Sequence, residues 1–176
     1  MNTMSEASAP SPWGFGLKMC LVYGVLYWAY GLVPDQWLAQ SAYPILFTHP
    51  GVAIIQWLEP AAQVRAEANQ IITSSVALEV VRGCDGSGAL FLLLAALVAA
   101  EGVRWTARAW GALAGALMLY GLNEARLVAL YFAAVHRPTW FNSLHEYFIP
   151  SLLVMSVGLF YLTWTALAGR SSSAER

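Results

Sequence analysis

The chain has 176 residues, of which 59% are apolar and 11% charged, against roughly 45–50% and ~25% in soluble globular domains. That balance excludes an ordinary soluble domain and indicates an integral membrane protein. Nine Lys+Arg against ten Asp+Glu leave a net charge of −1, so there is neither a basic field for nucleic acid nor an acidic tail.

In chain order, residues 1–12 are rich in Ser, Ala and Pro and are expected to form a disordered N-terminal tail. The first apolar run, residues 13–33, carries Lys18 near its start, where a long stem can reach the headgroups. It reads as a retained signal-anchor, because no run of positive charge precedes it and no small-residue cleavage site follows it directly. Residues 44–58 are apolar but short, broken by His49-Pro50 and closed by Pro60, which predicts an interfacial or re-entrant helix. Over residues 61–81 the chain turns polar and then alternates, with Val76, Leu78 and Val80 set against Ser75, Ala77 and Glu79, which predicts a small β-hairpin outside the bilayer.

Three further spans are predicted at residues 86–103, 109–135 and 147–168, the last with Tyr161 and Trp164 as an interfacial belt. Residues 169–176 read as a cytoplasmic tail. The expected fold class is therefore an all-α integral membrane protein of about four transmembrane helices, with an interfacial helix, a small extracytoplasmic hairpin and no internal repeat. Arg104 and Arg108 in the short loop after the second span, Arg170 and Arg176 after the last, and Lys18 belong on the cytoplasmic side. Residues 34–85 and 136–146 then lie outside, although Arg65, Arg82 and Arg137 run against that rule.

This topology brings three reactive side chains toward one face. Cys84 lies at the outer end of the second span, His145 at the outer entrance of the fourth, and Arg126 nine residues before Val135, or about 13 Å along a helix. Neither Cys20 nor Cys84 belongs to a CxxC, and two cysteines make neither a disulfide framework nor a Cys-only zinc site. Cys20, in mid-span, is expected to be a small packed hydrophobe. Cys84 differs, because Gly83 and Gly86 allow close backbone approach and the following helix N-terminus favours a thiolate. An arginine inside a span costs at least ~2.5–3.5 kcal/mol. Asn123 is its same-face neighbour at i−3, whereas Glu124 points to another face. Of the three histidines, His136 beside Arg137-Pro138 reads as a helix terminator. His49 sits in the short helix. His145, followed by Glu146 and Tyr147, is fixed near the bilayer edge. No two histidines stand at i, i+3 or i+4, so neither a metal nor haem is expected.

The strings Gly83-Cys84-Asp85-Gly86, Asn123-Glu124-Ala125-Arg126-Leu127 and His145-Glu146-Tyr147 resemble the exosortase/archaeosortase family of membrane cysteine transpeptidases, and most closely its short forms, over about residues 64–168. Asp85 departs from the Ser or Asn commoner in that family, and an acid there opposes thiolate formation. The resemblance implies catalytic Cys84, Arg126 and His145, with Asn123 and Glu146 supporting, and no cofactor. It implies membrane-anchored protein substrates carrying a C-terminal sorting signal, and a bacterial inner-membrane enzyme whose site faces the extracytoplasmic side. Two other readings use the same residues: a thiol-dependent lipid acyltransferase, and a non-enzymatic membrane subunit in which Arg126 and Asn123 only join helices.

Overall fold

The computed structural model describes residues 12–174, so the tail expected at the N-terminus lies, but for one residue, outside the described residues. Helix α1 (Pro12–Gly31) ends just before Pro34, which lacks a donor and restricts the residue ahead of it. The chain then bends by 78° into the path Asp35–Ala42, made of helix α2 (Asp35–Trp37) and a π turn over Leu38–Ala42. A second π turn (Pro44–Thr48) leads into helix α3 (His49–Leu58). His49-Pro50, expected to break this run, instead lies inside one helical path from Pro44 to Leu58. The wide turn places the His49 N–H on the Pro44 carbonyl, which gives the Pro50 ring room where a regular turn would press it against the Leu46 carbonyl.

The segment expected as a hairpin is a three-stranded antiparallel sheet in the order β1 (Arg65–Glu67), β2 (Gln70–Ile72), β3 (Ala77–Glu79). The additional strand is Arg-Ala-Glu, whose two charges and lack of β-branched residues hide its strand character. It is held by pairing with Gln70, Ile71 and Ile72.

Helix α4 (Ser87–Ala99) has 13 residues, fewer than the span predicted at 86–103. Its end is set by Ala100 in extended conformation and by Gly102 at φ 72°. Helix α5 (Trp105–His136) runs 32 residues and contains the whole third predicted span. The expected outer loop at 136–146 is absent, because after Arg137 the chain re-enters helix as α6 (Pro138–Ser143), a π turn (Leu144–Phe148) and α7 (Ile149–Ala174). Proline is well placed at the first position of α6. The C-terminal segment from residue 169, read as a tail, is helical to Ala174.

Among the described residues, Trp105–His136 and Pro138–Ala168 are long and apolar enough to cross a membrane, and α1 with its bent continuation makes a third if counted as one span. The 13 residues of α4 cover roughly 20 Å, less than a hydrocarbon core of about 30 Å. Leu17, Leu21, Val25 and Trp28 on α1, and Met155, Leu159 and Leu162 on α7, are exposed, as on helices that meet lipid. Lys18 forms an ion pair with Glu101, tying the start of α1 to the turn after α4. Cys20 is exposed on α1 and not packed, contrary to expectation.

Helices α4, α5 and α7 share a core of Leu93, Leu97, Leu119, Leu153 and Val157. Two glycines of α5 permit the close approach: a Cβ on Gly115 would lie 2.2 Å from Leu93 Cδ2, and one on Gly111 2.4 Å from Trp164 Nε1. A second cluster, with Val52, Ile55, Ile71 and Tyr131, fastens α3 and the sheet to α5. These two anchorages bring β3, the start of α4, the second half of α5 and the π turn before α7 to one place.

Candidate active site

The turn before α4 is shaped by its glycines. Gly83 has φ 89° and Gly86 φ 74°, conformations that glycine adopts without strain. The Cys84 N–H closes the turn on the Val81 carbonyl at 2.9 Å. The thiol is thereby presented three residues ahead of Ser87, the first residue of α4, where the helix N-terminus favours an anion.

Cys84 Sγ lies 3.2 Å from His145 Nε2. His145 is a helical residue in the π turn, not a loop residue as expected. Pro150 cannot donate to the Glu146 carbonyl, and the turn widens so that the Ile149 N–H reaches Leu144, five residues back. The imidazole is further fixed by stacking on Phe141, with centroids 5.6 Å apart and planes 6° from parallel. Cys84, His145 and Arg126 line one cavity of about 200 Å³, together with β3, Leu127 and Leu130. Arg126 is only 7% exposed. It forms no ion pair or hydrogen bond among the described residues, and its Nε is buried without a partner. A buried guanidinium with open donors is an anion site in waiting.

The other residues singled out in the sequence lie elsewhere. Asn123, 3% exposed, is turned to Gly86, where a Cβ would approach its amide to 3.1 Å, and it lines a second cavity. Glu146 is exposed and outside the wall of the Cys84 cavity. Glu124 is buried on a different face, with neither carboxylate oxygen partnered, near Gly51 of α3. His49 is exposed, and His136 stands 3.7 Å from Glu59 and stacks on Phe132.

Asp85 points away from the thiol. Its carboxylate accepts hydrogen bonds from Tyr30 Oη, from Tyr43 Oη at 3.4 Å, from the Gly83 and Ser87 N–H groups at 3.3 and 3.2 Å, and from Ser87 Oγ at 2.8 Å. The acid thus caps α4 and ties it to α1. It lines the second cavity, and not the one that Cys84 lines. Sequence reasoning missed the next tie, Arg82. Its Nη1 and Nη2 donate to the Tyr30 and Val33 carbonyls at 2.5 and 2.6 Å, and Nε donates to Asp35 at 2.9 Å. The guanidinium also lies 4.4 Å over the Tyr30 ring. The bond to Asp35 pushes the Arg82 pKa further up. The available signal was the conflict with the loop-charge rule: this arginine caps the end of α1 and anchors the Cys84 turn. Beyond the Asp85 network lies a mostly apolar cavity of about 510 Å³, walled by Phe47, Phe91, Tyr120 and Asn123 among others.

Comparison with protein-family models, with curated proteins and with solved structures finds no match.

Proposed function

We propose that this chain is a membrane cysteine peptidase and transpeptidase of the exosortase type, cleaving C-terminal sorting signals from membrane-anchored proteins and passing the remainder to an acceptor. The observation that carries the reading is the Cys84–His145 contact of 3.2 Å beside a buried Arg126 that has no acidic partner among the described residues. A thiol alone is commonplace. A thiol, a base and an oriented cation in one pocket form a complete set for acyl transfer.

In this reading His145 takes the Cys84 proton, and the thiolate attacks the scissile carbonyl. Arg126 stabilises the tetrahedral oxyanion. As the C–N bond breaks, His145 returns the proton to the leaving amine, and the remaining chain stays on Cys84 as a thioester. The acceptor then gives its proton to His145, attacks the thioester and releases Cys84. In the same proposal the chain crosses the bacterial inner membrane four times, with α4 as the short crossing and the site on the extracytoplasmic side.

The test is the intact mass of protein purified from cells co-expressing membrane-anchored candidate substrates. A peptide adduct confined to Cys84 supports the proposal. A fatty-acyl adduct there would identify a lipid acyltransferase, and an unmodified, inert Cys84 would favour a non-enzymatic subunit.

A further inference from the structure

The wall of the Cys84 cavity includes all of β3 with Val80, and β3 is an edge strand with β2 on one side only. The pairing register shows which main-chain groups are used. Leu78 stands opposite Ile71, the Val80 N–H donates to the Asn69 carbonyl at 2.8 Å, and the Val76 carbonyl accepts from the Thr73 N–H at 2.8 Å. Hydrogen-bonded pairs alternate along an antiparallel ladder, so residues 76, 78 and 80 bond to β2. Ala77 and Glu79, opposite Ile72 and Gln70, therefore turn their N–H and C=O groups outward. No backbone bond from another described element meets them.

An exposed strand edge is a template for another strand, and this one shares a cavity with a thiol already paired to a base. The geometry points to β3 as the docking strand of the substrate: an extended peptide segment adds antiparallel or parallel to its outer edge, hydrogen-bonded to Ala77 and Glu79, and so runs its carbonyls past Cys84. This inference rests on the peptide reading of the site, and the chemistry of the occupant follows from that site. Strand addition recognises backbone, while alternate side chains supply selectivity. Those of the added strand that face inward meet Leu127 and Leu130; the others face the exposed side with Glu79.

The probe is acetyl-tetra-alanyl chloromethyl ketone, whose chloromethyl carbon is attacked by the Cys84 sulfur, forming an S–C bond as chloride leaves and the thiol proton is lost to base, measured against chloroacetone, which carries the same reactive group without amides. The full-length protein is used in detergent. The peptidyl reagent is expected to label Cys84 at least tenfold faster than chloroacetone. N-methylation of the second or of the third alanine amide separates the two faces of the added strand: one isomer should lose about tenfold in rate and the other nothing. Glu79→Pro removes an outward N–H that the β2 ladder does not use. It should slow the peptidyl reagent about tenfold and leave chloroacetone unchanged.

No advantage of the peptidyl reagent over chloroacetone would sink the peptide reading together with this inference. An advantage that both N-methyl isomers keep, or both lose, would overturn strand docking alone, a result that needs no variant to fold. A dimer seen by sedimentation and dissociated by Glu79→Pro would give the edge to a second copy of the chain, and would also overturn it.

Discussion

Cys84 and Asp85 are neighbours in one turn and face opposite regions of the molecule. Asp85, 8% exposed, has its carboxylate satisfied by two tyrosines, a serine hydroxyl and two backbone amides. On the other side, the buried Arg126 has no hydrogen-bond or ion-pair partner among the described residues, and the Cys84–His145 pair faces an open cavity. Buried polar groups that find all their partners hold a fold together, whereas one left open in a cavity is spare capacity for a ligand or a transition state. Under the proposed function, the contrast assigns stability to the Asp85 side and chemistry to the Cys84 side. Variants on the two sides should therefore fail in different assays.

The largest effect is expected from Cys84→Ser. The side chain keeps its shape but loses the thiolate, so substrate cleavage should disappear while membrane abundance stays unchanged. Cys20→Ser, on the exposed face of α1, should leave cleavage intact. If quantified cleavage fell equally in both, the division between the two regions would collapse.

Arg126→Lys comes next. It keeps the positive charge but exchanges a planar fork of donors for a compact ammonium. Losing one oriented oxyanion donor typically lowers the rate by about 10²–10³, and that is the decrease expected in kcat, with the melting temperature nearly unchanged. Adding His145→Ala should lower the rate by much less than the product of the two single effects, because groups acting as one unit are non-additive. Multiplicative losses in equally folded protein would separate Arg126 from the Cys84–His145 pair.

On the other side of the turn the pattern should reverse. Asp85→Ala removes the acceptor that the Tyr30 and Tyr43 hydroxyls share, leaving them only their mutual hydrogen bond at 2.9 Å, and uncaps α4, which is expected to cost about 1–3 kcal/mol of stability. A lowered melting temperature in detergent should accompany a cleavage rate, per folded molecule, within a few-fold of the unsubstituted protein. A rate loss as large as that of Arg126→Lys at unchanged stability would move Asp85 into the chemistry.

The two regions were unequally legible in the sequence. Cys84, Arg126 and His145 stood out because a thiol beside glycines, an arginine inside an apolar run and a histidine at a helix start are costly or reactive wherever they occur, and the structure places all three on one cavity. The Asp85 side was obscure because its ties are long-range: Arg82 meets Tyr30, Val33 and Asp35 about fifty residues away in sequence. For the same reason β1 escaped notice, its Arg-Ala-Glu being a strand only through its partner. Asn123 was assigned to Arg126 by helical spacing, which gives a shared face but not what that face meets, here Gly86. The sequence reads as loop over Pro138–Ser143 because His136-Arg137-Pro138 looks like a stop. Pro138 is instead the start of the next helix.

The smallest effect tests how firmly the two regions are joined, and it uses the two glycines around the turn. Gly83→Ala places a side chain at φ 89° with nothing within 4 Å, so its penalty is the left-handed backbone alone, about 1 kcal/mol. Gly86→Ala carries the same kind of penalty at φ 74° and adds a contact at 3.1 Å with the buried Asn123 amide. That amide is packed inside α5 and can give only by a few tenths of an ångström, so the total should approach about 2 kcal/mol. Denaturant midpoints should therefore fall further for Gly86→Ala than for Gly83→Ala. The same push displaces the start of α4, and with it the thiol, from a histidine now 3.2 Å away. Cys84 labelling by chloroacetone, normalised to folded protein, should consequently slow in Gly86→Ala more than in Gly83→Ala. Equal stability and equal labelling in the two variants would show that Asn123 does not brace the turn and that the thiol is positioned without the Asp85 side.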